Sequence, residues 1–109
     1  MNSNNFTIKS QEAIEQAQLI AQTMGNQQIE NEHLFKAITE VDENAIPFIL
    51  KKLGLNPNLI NQILEREMNT FPKVEGGDLQ FSREASKTLN EASIVAKGMG
   101  DEYLSRRNI

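Results

Sequence analysis

A chain of 109 residues that is 39% hydrophobic and 24% charged is long enough to bury one core and too apolar to remain unfolded. Its net charge is −4, with six Lys/Arg against ten Asp/Glu in residues 1–75 and five of each in 76–109, so no basic face collects phosphates and nucleic acid is excluded as an expected partner. Cysteine is absent, which removes disulfides and thiolate chemistry, and no stretch reaches the roughly 18 apolar residues of a membrane span, so no membrane partner and a cytoplasmic location are expected.

The first helix is predicted over TIKSQEAIEQAQLIAQTMG, where Ile8, Ala13, Ile14, Ala17, Ile20, Ala21 and Met24 recur at three- and four-residue steps. Thr7 is its expected N-cap, and Gly25 suits the left-handed residue past its end. A second helix follows in ENEHLFKAITEV, with Leu34, Phe35, Ala37, Ile38 and Val41 as its stripe. The third is NAIPFILKKLG, capped by Asn44, with Pro47 in its first turn and Gly54 closing it. The fourth is NPNLINQILEREM: Asn56 caps it, Pro57 occupies the first helical position, and Leu59, Ile60, Ile63, Leu64 and Met68 form the expected buried face. FPKVEGGDLQFS reads as a loop by its Pro72, Gly76 and Gly77. The fifth helix starts at the cap Ser82 and carries Ala85, Leu89, Ala92, Val95, Ala96 and Met99 inward, ending at Gly100. No strand signal competes, so the fold class is all-α, a compact bundle of short helices with short connections.

The chain also repeats itself. At an offset of 75, Phe6 meets Phe81, Thr7 meets Ser82, Ile14 meets Leu89, Ala17 meets Ala92, Ile20 meets Val95, Ala21 meets Ala96, Met24 meets Met99, Gly25 meets Gly100 and Ile29 meets Leu104. Caps and apolar stripe match together, and the match continues past the first helix, which favours duplication over shared helicity. Residues 1–75 then hold a first four-helix repeat and the start of a linker. Residues 76–109 hold the linker, the first helix and the turn of a second, incomplete repeat. GMGDEYLSRRNI is accordingly expected to be a turn parallel to TMGNQQIENEHL, with the stop at residue 109 a truncation and helix five short of neighbours, which invites pairing between chains.

Catalytic signatures are missing. There is no phosphate loop, dinucleotide fingerprint, zinc-protease motif or nucleophile elbow. His33, the single histidine, sits between Glu32 and Leu34, and a hydrogen-bonded histidine at a helix N-terminus explains it better than a metal ligand or catalytic group. No metal and no catalytic residue are expected, and what remains is surface for binding other proteins.

Several stretches resemble a known family. FTIKSQEAIEQAQLIAQTMGNQQIENEHLFKAI, ILKKLGLNPNLI, FPKVEGG and LQFSREASKTLNEASIVAKGMGDEYLS are together similar to the N-terminal (Clp N) domain of Clp-type AAA+ chaperones, over residues 6 to about 105. The VEGGDLQFS connection looks most like that of the ClpB-type disaggregases. The resemblance implies tandem four-helix repeats tethered ahead of ATPase modules that this chain lacks, where ATP and magnesium would bind. It implies a non-catalytic module engaging unfolded or aggregated polypeptide, with an adaptor as a further partner, in a homohexamer that cooperates with a DnaK-type chaperone. It also carries over Thr7 and Asp101 as substrate- or adaptor-binding positions, although a cap role explains each, and Arg107 stands where the family usually has Glu. The alternatives are the adaptor-docking domain of a protease-associated Clp ATPase and, from a different class, a helix-turn-helix DNA reader, against which the acidic balance argues.

Overall fold

The structure, a computed structural model, describes residues 8–107, and for 96, 97 and 99–107 the backbone alone. Five helices run in chain order: α1 (Ile8–Thr23), α2 (Asn31–Val41), α3 (Ala45–Lys52), α4 (Pro57–Asn69) and α5 (Arg83–Arg107). The all-α class holds, with one correction. Two short strands, β1 (Gln28–Ile29) and β2 (Gln80–Phe81), pair in parallel with Gln28 opposite Gln80 and Ile29 opposite Phe81. The Ser82 N–H continues this ladder to the Ile29 carbonyl at 3.0 Å. Two residues are too few to show an alternating pattern, so only tertiary pairing makes them strands.

The core is built where α1, α2, β1 and α5 meet, from Ala17, Ala21, Ile29, Leu34, Ala37, Ala85 and Leu89. Four of these seven are alanines without exposure. Small side chains let α1 lie close against α2, while α5 meets α2, so the backbones themselves fill much of the interior. Ile29, Leu34 and Leu89 supply the larger apolar burial, each worth about 2 kcal/mol. α4 joins through Met68, which is also buried.

Local signals explain the helix boundaries. Gly25 and Gly54 take φ of 69° and 78°, the left-handed conformation that ends α1 and α3. Asn56 Oδ1 accepts from the N–H groups of Asn58 (2.9 Å) and Leu59 (3.4 Å), and Ser82 Oγ accepts from Ala85 N–H at 3.0 Å. Asn44 departs from expectation: its backbone is already helical and its side chain caps nothing, while Asp42 Oδ1 receives the Ala45 N–H at 3.0 Å. Asp42 stands three residues before Ala45, the spacing at which a capping oxygen meets the N–H group of the third residue after it, and so takes the role.

Two further expectations fail. Ile8, Leu59, Ile63 and Val95 are exposed, because each lies on its helix beyond the strip a neighbouring element covers. The turn expected after Gly100 is also absent: α5 is unbroken from Arg83 to Arg107 and contains Gly98, Gly100 and Asp101. Glycine costs a helix only about 1 kcal/mol per residue, and continuing the helix satisfies each backbone group in turn. Thr7 lies outside the described residues.

Candidate functional site

A cleft of about 580 Å³ opens between the N-termini of α2 and α5 and is lined by Glu30, Asn31, Glu32, Phe35, Leu64, Phe71 and Glu84. Three separate stretches supply it. Residues 30–35 come from the start of α2, Leu64 and Phe71 from α4 and the residues after it, and Glu84 from the first turn of α5. The two strands make this possible: pairing Ile29 with Phe81 sets the residue before α2 beside the residue before α5, so both helices begin at one place. A bridge between Asn26 and Lys73, with Val74 N–H donating to Gly25 O at 2.9 Å, fastens the loop after α4 to the same region.

His33 holds the cleft from beneath. It is fully buried; Glu30 N–H donates to its Nδ1 at 2.8 Å, and its Nε2 lies 2.8 Å from Asn26 Oδ1. Since Nδ1 accepts, the proton is on Nε2 and is donated to Asn26. That assigns the neutral tautomer by geometry alone. Burial pushes the imidazole below its ordinary value, against a weaker opposing pull from Glu30. The ring also packs on Phe71, with centroids 5.5 Å apart and planes at 58°. One side chain thereby ties the turn after α1, the start of α2 and a wall of the cleft together.

The electrostatics follow from placement. Glu30, Glu32 and Glu84 all sit at helix N-termini, where the aligned peptide dipoles and free N–H groups favour anions. His33 stays neutral and offsets none of them, and among the described residues no lysine or arginine lines the cleft. Phe35, Leu64 and Phe71 give it an apolar floor. The arrangement suits an apolar side chain with a cationic neighbour. Among the described residues no group of His, Asp and Glu is arranged to hold a metal ion, and no helix is long and apolar enough to cross a membrane.

The histidine behaves as its sequence context suggests, a packed and hydrogen-bonded group. Thr7 lies outside the described residues, and Asp101 falls within the backbone span of α5, its side chain undescribed. The cleft residues Phe71 and Glu84 carry no signal of their own in the sequence. Both enter the site through the strand pair and the Asn26–Lys73 bridge, which join segments some fifty positions apart.

Comparison with known proteins gives a consistent result. The profile of the Clp repeat (R) N-terminal domain matches residues 5–109. The chaperone protein ClpB of Bacteroides thetaiotaomicron is 41% identical over 109 residues, all of this chain and 13% of that protein. The ClpB of Porphyromonas gingivalis is 38% identical over the same shares. That of Corynebacterium diphtheriae is 39% identical over 105 residues, 93% of this chain and 12% of that protein. The chain thus spans about an eighth of the length of these relatives.

Proposed function

The chain belongs to the Clp repeat N-terminal domain family, and we propose that it is the non-catalytic, polypeptide-engaging module of a ClpB-like ATP-dependent disaggregase. Unfolded or aggregated chains are its substrates, captured by the cleft at the start of α2 and α5. An adaptor is a second class of ligand for the same surface. The longer protein works in the cytoplasm as a homohexamer alongside a DnaK-type chaperone, with ATP and magnesium confined to its ATPase modules. Thr7 and Asp101 are the substrate- or adaptor-binding positions that the family resemblance assigns.

The observation that carries the reading is the composition of the cleft: Phe35, Leu64 and Phe71 face a ligand between three carboxylates that, among the described residues, form no ion pair. Such a surface favours apolar side chains flanked by Lys or Arg, a pattern that folding buries and misfolding uncovers. The relatives named above are all ClpB proteins, which disfavours the protease-associated alternative.

Fluorescence anisotropy tests the proposal with two labelled unfolded proteins, reduced lysozyme (basic) and casein (acidic). The chain is expected to bind the basic one more tightly, with Phe35→Ser and Glu32→Lys each weakening that binding about fivefold or more, roughly 1 kcal/mol. Equal affinity for the two ligands, or unchanged binding by both variants, overturns the assignment to this cleft.

A further inference from the structure

The third helix carries apolar side chains on two opposite sides. Ile46, Pro47 and Leu50 turn inward and are partly covered, and Pro47 and Leu50 line a groove of about 180 Å³ that α3 shares with α2 and α4. The opposite side carries Ala45, Phe48, Ile49, Lys52 and Leu53, spaced i, i+3, i+4, i+7, i+8, the spacing of a helix stripe that faces a partner. Yet Phe48 is 61% and Leu53 69% exposed, and α3 has no buried residue. An apolar helix stripe is ordinarily buried, so one face of α3 lacks its cover.

Charge identifies what fits there. Glu43 is exposed just before α3, and Lys51 and Lys52 form its last turn. Among the described residues none of the three has an opposite charge within ion-pair distance; Lys52 instead rests over the Phe48 ring at 5.4 Å. The face is therefore acidic at its N-terminal end, apolar in the middle and basic at its C-terminal end. Such a pattern is complementary to itself when reversed.

We propose that α3 is a self-association surface, on which a second copy of this chain lays its own α3 antiparallel about a two-fold axis. The midpoint of Ala45–Lys52 falls between Phe48 and Ile49. An axis there stacks the four apolar side chains of the two copies and brings Lys51 and Lys52 of each within one lysine length of the other's Glu43. The opposed helix dipoles add to the attraction. Isologous contact of this kind needs no second complementary patch. An anionic membrane fits less well, because Asp42 and Glu43 repel it at one end and two lysines are few for lipid binding. The helix is only about 12 Å long, so the contact is small and the pairing weak, with a dissociation constant on the order of 10⁻⁴ M.

Sedimentation velocity and amide chemical shifts over a dilution series of the 109-residue chain test the pairing. The sedimentation coefficient is expected to rise with concentration, with shifts confined to residues 43–55. Glu43→Lys alone, or Lys51→Glu with Lys52→Glu, is expected to weaken pairing at least about fivefold, while the triple variant, with all three charges swapped, recovers it to within about twofold. A monomer up to about 1 mM, concentration-dependent shifts elsewhere, or a triple variant as weak as the partial ones overturns the proposal. The wild-type shift map decides the matter independently of whether any variant folds.

Discussion

Removing His33 tests the internal architecture beneath the cleft. In His33→Phe a ring still packs on Phe71, but the Glu30 N–H loses its acceptor and the buried Asn26 Oδ1 loses its donor. A buried polar group left unsatisfied costs about 1–3 kcal/mol, so losing both partners costs about 2–6 kcal/mol. His33→Ala adds the lost ring packing, about 1–2 kcal/mol more. Against a total stability of about 5–15 kcal/mol, both changes are large. Urea unfolding followed by far-UV circular dichroism measures them. The same side chain gives a pH signature, because it is the chain's single histidine. Its folded value lies below the ordinary 6.5, so between the two values the unfolded chain holds a proton that the folded chain does not. The stability it contributes is therefore full above about pH 6.5 and is lost as pH falls towards the depressed folded value, at up to about 1.4 kcal/mol per pH unit. His33→Phe should be flat through that window. A His33→Ala variant within about 1 kcal/mol of wild type, or an undiminished pH dependence in His33→Phe, refutes the reasoning.

Two other substitutions probe the packing and the strand clamp. Ala21→Leu adds bulk to a fully buried position in the alanine-lined core and should cost about 1–3 kcal/mol in urea unfolding; a neutral result would mean that the helices are not in close contact there. Ser82→Ala removes the buried oxygen that receives the Ala85 N–H and should cost about 1–2 kcal/mol. Hydrogen exchange should quicken first at Arg83, Glu84 and Ala85, and unchanged protection there would count against the cap.

Periodicity and capping chemistry reveal most of the helices, because both act over four residues or fewer. The stripe of α1 from Ala13 to Ala21, the Asn56–Pro57 start of α4 and the Ser82 cap all appear in the structure as the local pattern implies. Asn44 misleads because Asp42, two residues earlier, reaches the same N–H groups. Leu59 and Ile63 mislead for another reason: an apolar stripe shows which side of a helix prefers burial, whereas the amount of cover depends on its neighbours. The cleft is the least legible part. Glu30, Glu32 and His33 are contiguous, but Phe71 and Glu84 join them only through the pairing of β1 with β2, and a two-residue parallel pair leaves no periodic trace. The unbroken course of α5 through Gly98 and Gly100 is equally hidden, since the same glycines suit a helix end.

The central claim is that the chain engages unfolded polypeptide through the cleft at the start of α2 and α5. Amide and methyl chemical-shift mapping during titration of the isotope-labelled chain with reduced, unfolded lysozyme tests it most directly. The account predicts the largest shifts at Glu30, Glu32, Phe35, Leu64, Phe71 and Glu84, saturating together and abolished by Glu32→Lys. Shifts that saturate on some other surface while these residues stay unmoved would contradict it.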